Sequence, residues 1–112
     1  MKTITALASL GLLLLSGLAN AKQVEVSIVK MKFTPQQVVI APGDTVIWRN
    51  KEKRQYHNVW FKQFTEEEPD IFFPGETFEQ RFDKEGSYPY VCGPHPKMTG
   101  TVIVKAEVNS RP

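Results

Sequence analysis

The chain has 112 residues, of which 41% are hydrophobic and 23% are charged, and its formal net charge at pH 7 is +2. That length is enough for one domain with a modest hydrophobic core. The presence of a single cysteine, Cys92, excludes an internal disulfide. The small net charge, without a basic stripe that carries interleaved aromatic residues, argues against a nucleic-acid-binding protein.

The first 21 residues have the three parts of a secretory signal peptide. Lys2 gives a positive start, an apolar run with LGLLLL at its centre follows, and Ala19-Asn20-Ala21 offers small residues for cleavage. The apolar run is shorter than the ~20 residues that span a bilayer, which disfavours a membrane anchor. We therefore expect cleavage after Ala21, export to the periplasm, and one soluble, monomeric domain over residues 22–112.

Apolar and polar residues alternate with period two through most of the remaining chain, which predicts β-strands. Glycine and proline separate these segments, and no segment has helical periodicity over ten residues. The predicted strands cover residues 24–29, 37–40, 45–50, 71–73, 77–82, 88–92 and 101–105, with a further short apolar segment at 57–61. Seven or eight short strands at this spacing predict an all-β fold, a Greek-key sandwich or barrel.

Residues 90–98, YVCGPHPKM, bring Cys92, His95 and Met98 together at three-residue spacing, with a proline on each side of the histidine. Thiolate sulfur, imidazole nitrogen and thioether sulfur all suit copper. The prolines fix φ and so restrict the loop around His95. Alternation along residues 88–92 puts Cys92 on the same face as two tyrosines, so its sulfur is expected to point into the core at one end of the sandwich.

The fourth candidate ligand is His57, in QYHNVWF. A lone histidine in a half-apolar segment is more often a packed or surface residue than a ligand. Here, however, two histidines, one cysteine and Met98 match the His₂Cys plane with a weak axial methionine found in copper electron-transfer sites. We interpret Met31, the other methionine of the predicted mature chain, as core packing. Zinc in the same ligands is an alternative, although an axial methionine would be unusual for it.

The HN pair at 57–58, the Y-x-Y before the cysteine and the C-x-P-H-P-x-M sequence together resemble the cupredoxins, the family of type 1 (blue) copper proteins. The short Cys-x₂-His-x₂-Met loop is most similar to that of the amicyanins, with plastocyanins and pseudoazurins as relatives with longer loops. The resemblance covers residues 24–104. It implies one copper ion, Cu(I) or Cu(II), whose ligands are His57, Cys92, His95 and Met98. It also implies a role for Asn58, whose N–H would bond the cysteine sulfur and whose side chain would brace the ligand loop.

The resemblance implies a protein that shuttles single electrons between redox partners, with His95 as the exit. An enzyme is disfavoured, because catalytic metal sites keep an open position and four protein ligands leave none. A periplasmic copper-binding protein for copper tolerance or delivery stays open, although the C-terminal AEVNSRP lacks the Met- or His-rich tail of many carriers.

The expected partner is a redox protein, for example a c-type cytochrome or a periplasmic oxidoreductase, that docks near His95 and Lys97. Two departures from the family pattern lie close to this end. Tyr56 stands where relatives often have proline, and Lys97 stands where amicyanins have an aromatic residue. The acidic residues of 66–70 form an alternative docking surface, since clustered charge can steer a charged partner.

Overall fold

Seven strands in two sheets make up the part of the chain, residues 21–106, that the computed structural model describes. The strands are β1 (Gln23–Val29), β2 (Lys32–Thr34), β3 (Gln37–Ile40), β4 (Asp44–Asn50), β5 (Thr77–Phe82), β6 (Gly86–Val91) and β7 (Thr99–Val104). One sheet has the order β2-β1-β4-β5 and the other β3-β7-β6. The prediction of an all-β fold is confirmed. The predicted signal peptide lies, except for Ala21, outside the described residues.

Both sheets are mixed. The pairs β1–β4 and β3–β7 are parallel, whereas β1–β2, β4–β5 and β6–β7 are antiparallel. Between residues 21 and 106 there is no helix long and apolar enough to cross a membrane.

The core lies between the sheets and is built from alternate residues of each strand. Every second residue of β4 is buried, and Trp48 at its centre is fully enclosed. Trp48 packs edge-on against Tyr90 of the opposite sheet, with 5.4 Å between ring centroids, a favourable aromatic geometry. Tyr90 and Cys92 are both buried and Tyr88 is half-buried, as the alternation of this strand predicted.

Strands β3 and β5 begin and end at the predicted residues, but β2 was not predicted. The turn that precedes β2 contains Lys30 and Met31 with φ of 54° and 60°. Glycine or asparagine usually marks such a left-handed turn, so the sequence carried no signal for it. The interpretation of Met31 as a core residue was wrong: it is 37% exposed, because it sits at this turn rather than on a strand face.

The segments 57–61 and 71–73 do not form full strands; two isolated bridges replace them. His57 and Phe72 exchange both backbone hydrogen bonds, at 3.2 and 2.8 Å, and Trp60 and Val91 exchange theirs at 2.9 and 3.0 Å. The first bridge fixes the backbone of His57. The second attaches the same segment to the end of β6, beside Cys92.

Candidate metal centre

The loop between β6 and β7 begins at Cys92 and ends at Met98. Three backbone hydrogen bonds close it: Cys92 N–H to the Met98 carbonyl (3.0 Å), His95 N–H to the Cys92 carbonyl (3.1 Å) and Met98 N–H to the His95 carbonyl (2.9 Å). The two prolines of the loop have no N–H to donate. The loop is therefore held by the backbone of the three residues that carry its donor side chains.

His57, Cys92 and His95 converge although the first is distant in sequence. Sγ of Cys92 lies 3.6 Å from Nδ1 of His57 and 3.5 Å from Nδ1 of His95. One ligand atom from each residue lies within 4.8 Å of the others. His57 and Cys92 are fully buried, whereas His95 is half-buried and is the one of the three that reaches towards solvent.

Met98 is buried, with 6% of its surface exposed, in the same loop as Cys92 and His95. Met31 lines an open groove together with Met98, but its place in the β1–β2 turn leaves it exposed. Of the two methionines in the described chain, Met98 is thus the one enclosed beside the donor cluster.

The ring of His57 is oriented from its far side by Glu52. Nε2 of His57 lies 3.1 Å from Oε2 of Glu52, and the Glu52 carboxylate also accepts the N–H groups of Lys30 (3.2 Å) and Met31 (2.8 Å). A carboxylate on one ring nitrogen fixes the tautomer, so that the other nitrogen presents its lone pair. Glu52 therefore directs Nδ1 of His57 towards Cys92.

Asn58 lies fully buried behind the ligand loop. Its Oδ1 accepts the N–H of Gly93 at 2.7 Å, and its backbone N–H is directed at the sulfur of Cys92. Asn58 thus contacts both the cysteine and the residue after it. The resemblance implied both contacts, and a role of Asn58 in a copper site stays a prediction.

Comparison with known proteins agrees with this geometry. Residues 20–105 match the family of copper binding proteins of the plastocyanin/azurin type. The chain belongs to this family. It is 41% identical over 91 residues to amicyanin-alpha from Methylorubrum extorquens (78% of this chain, 76% of that protein), and 33% identical over 85 residues to plastocyanin from Scenedesmus fuscus (65% and 86%). The crystal structure of amicyanin from Paracoccus versutus is similar to it with a TM-score of 0.68 and 39% identity (74% and 81% of the chains).

The predicted cupredoxin membership and copper cofactor are thereby confirmed. The donor set of this cupredoxin also fits copper on chemical grounds. Two imidazole nitrogens and one thiol sulfur lie within bridging distance of a single ion, and a thioether is enclosed in the same loop. Soft sulfur donors combined with imidazole favour copper over the hard cations that prefer oxygen.

The surroundings of the cupredoxin site change the acidity of two donors. Burial raises the pKa of the Cys92 thiol, against hydrogen bonds from the backbone N–H groups of Asn58 and His95, which lower it. Burial also lowers the pKa of His57, against the hydrogen bond with Glu52. His57 is therefore held neutral, as a ligand must be, and a metal that binds Cys92 displaces its proton.

Some contacts in the cupredoxin site were not predicted from the sequence. Glu52 belongs to the charged stretch KEKRQ, which is usually solvated surface, and nothing in its spacing to His57 indicates a contact. Glu68 lies in the acidic stretch 66–70, yet its carboxylate reaches Asn58. Charge patterning describes such residues only as surface, because it does not show which buried side chain a loop carboxylate will contact.

Proposed function

We propose that this cupredoxin is a periplasmic shuttle for single electrons, and that His57, Cys92, His95 and Met98 hold its one copper ion. The observation that supports this assignment is the convergence of Nδ1 of His57, Sγ of Cys92 and Nδ1 of His95 within 4.8 Å. Bound copper supplies one-electron exchange between its cuprous and cupric states.

The chain's contribution is to keep the donors in place. The isolated bridge to Phe72 and the Glu52 carboxylate fix the backbone and ring of His57. The backbone hydrogen bond from the Cys92 N–H to the Met98 carbonyl, beside the ends of β6 and β7, fixes these two residues. Donors held in this way move little when the charge at the site changes, which favours fast electron exchange. Four protein donors also leave no open position for a substrate, which favours a carrier over an enzyme.

Electrons leave and enter at His95 in this proposal. Its half-buried ring reaches towards solvent, and the next two residues, Pro96 and Lys97, are exposed. A redox partner such as a c-type cytochrome or a periplasmic oxidoreductase would dock there. Burial of the other three donors favours a protein that retains its copper over one that delivers copper to another protein.

Export is proposed from the N-terminal pattern of residues 1–21 and from the lone cysteine, which a metal protects in an oxidising compartment. Mass spectrometry of the protein purified from periplasmic extract should give a mature N-terminus at Lys22. A mass that includes residues 1–21 would contradict cleavage.

The central experiment is an optical spectrum of the copper-loaded protein together with a redox titration. We expect one copper per chain, intense visible absorption from thiolate-to-copper charge transfer, and a reversible one-electron transition. A colourless cupric protein, or one that does not titrate reversibly, would contradict the proposed function.

A further inference from the structure

An acidic side chain from outside the ligand loop lies directly against that loop. Oε2 of Glu68 accepts a hydrogen bond from Nδ2 of Asn58 at 2.9 Å. A Cβ atom placed on Gly93, the residue after Cys92, would overlap Oε2 of Glu68 and would lie 2.6 Å from its Cδ. The carboxylate therefore occupies the space that any side chain at position 93 would need.

The same contact determines which way the Asn58 amide points. An asparagine side chain has two N–H donors and one carbonyl acceptor. Here Nδ2 donates to Glu68 and to the Pro69 carbonyl at 3.1 Å, while Oδ1 accepts the N–H of Gly93 at 2.7 Å. If the amide were flipped, its Oδ1 would face the oxygen acceptors of Glu68 and Pro69, and its Nδ2 would face the N–H donor of Gly93. Glu68 and Pro69 together hold Asn58 in the one orientation that braces the loop.

We propose that Glu68 is a positioning residue of the copper centre: its carboxylate fixes the Asn58 amide against Gly93, and its negative charge lowers the reduction potential. The inference rests on the proposed function and adds a residue that the family resemblance did not supply. A negative charge beside the loop stabilises the cupric state, which is the more positive one, relative to the cuprous state. Since Glu68 is itself exposed, salt weakens this effect.

Glu68→Gln separates charge from geometry, because the glutamine carbonyl can still accept from Asn58. We expect the copper-loaded variant to keep its visible spectrum. Its cupric-to-cuprous equilibrium should shift towards the reduced form by about three- to tenfold at low salt, where tenfold corresponds to 59 mV for one electron. The matched control is Glu67→Gln, which removes the same charge from a neighbour whose side chain makes no hydrogen bond or ion pair within residues 21–106. Equal shifts in both variants, or none in either, would overturn the proposal.

Gly93→Ala tests the contact from the other side. The backbone of Gly93 lies outside the left-handed region, so alanine adds no backbone strain there. Its Cβ would lie 3.3 Å from Nδ2 of Asn58 and would overlap the Glu68 carboxylate, so the added methyl group should expel the flexible Glu68 side chain. We expect Gly93→Ala to raise the potential as Glu68→Gln does, and the double variant to shift no further than either single one. Additive shifts would show that Glu68 does not act through this contact.

A measurement on the metal-free protein makes the test independent of copper. Glu68→Ala removes an acceptor of the Asn58 amide, so the Gly93 N–H should exchange with solvent several times faster, while Glu67→Ala leaves its exchange rate unchanged. Unaltered exchange in Glu68→Ala would overturn the positioning role. If the wild-type protein itself failed to become coloured with copper, the proposed function would fail instead, and the two failures are distinguishable.

Discussion

The ring of Tyr56 lies beside the ring of His95, with 6.0 Å between the centroids and 36° between the planes. Phe73 packs edge-on against Tyr56 at 6.1 Å, and the two residues are 51% and 42% exposed respectively. The exposed pair Tyr56–Phe73 on one side of His95, and the exposed Pro96 that follows it in the chain, are called here the apolar rim. This arrangement gives a role to Tyr56, which departs from the family pattern: it adds aromatic surface where an electron would leave.

Charge beside the apolar rim should control how fast a partner associates, because steering acts on association rates more than on affinity. Lys97→Glu should slow electron transfer with an acidic partner, most strongly at low salt, and should leave the visible spectrum unchanged. Stopped-flow rates over a range of ionic strengths measure this. The control is Lys105→Glu, an exposed lysine just beyond the opposite end of β7. If the electron-transfer rate changed neither with Lys97→Glu nor with ionic strength, docking near Lys97 would be contradicted. The acidic residues of 66–70 would then be the next surface to test.

Cys92→Ser should abolish the visible absorption of the cupric protein. A serine hydroxyl cannot provide the thiolate-to-copper transition, although the three remaining donors can still bind a metal. Absorption spectra of both proteins at equal copper occupancy measure the difference. A serine variant that kept its colour would contradict the assignment of Cys92.

Met98→Gln should keep copper but shift both the reduction potential and the spectrum, because an axial ligand is long and weak and acts mainly on the potential. The control is Met31→Leu, which changes the exposed methionine of the same groove and should alter neither property. An unchanged potential in Met98→Gln, with a shifted one in Met31→Leu, would reverse the assignment of the two methionines.

Glu52→Ala should weaken copper binding by about 10- to 100-fold, since partners that orient a ligand histidine have effects of this size. It should also lower the free energy of unfolding by ~1.5–3 kcal/mol, because the Lys30 and Met31 N–H groups lose a charged acceptor. Copper competition titrations and urea unfolding measure the two effects. In Glu76→Ala, which removes a carboxylate that within residues 21–106 accepts only the Phe73 N–H (2.8 Å), stability should fall slightly and copper affinity should stay unchanged.

The metal-free protein should become less stable as the pH falls below about 7.5. Burial lowers the pKa of His57 in the folded state, whereas in the unfolded chain it stays near 6.5. Below that value the unfolded state binds a proton that the folded state does not, so the free energy of unfolding rises with pH by at most ~1.4 kcal/mol per unit. Urea unfolding at pH 5.5 and 7.5 tests the sign. His57→Gln should flatten the dependence, and an equal slope in that variant would assign it to other groups.

Much of the fold could be predicted because most strands have a local alternation of apolar and polar residues. The alternation in residues 37–40 and 77–82 gave β3 and β5 with their bounds. The β1–β2 turn could not be predicted, because Lys30 and Met31 adopt positive φ without glycine and depend on Glu52, twenty-one residues or more away, for their hydrogen bonds. A local sequence pattern cannot predict a turn whose stabilising partner, here Glu52, comes close only in the folded protein.

The candidate site also contains both residues that the sequence indicated and residues that it did not. Cys92, His95 and Met98 lie in one short loop, so their spacing alone indicated a common site. His57 was included because a His₂Cys site needs a second histidine, and the chain has only one other. Glu52 and Glu68 carry no comparable signal, since carboxylates in charged loops are common and mostly solvated. Their contacts with His57 and Asn58, five and ten residues away, depend on how the chain folds back at the end of the sandwich.

The ligand loop is enclosed by β6 and β7, and β7 also pairs in parallel with β3, more than sixty residues earlier. The site is therefore complete only once the C-terminal strand has joined both neighbours. During synthesis, a nascent chain that already contains the candidate ligands, up to Met98, still lacks the strand that closes their loop. A partly synthesised chain therefore carries the candidate ligands before the strands that hold their loop have paired.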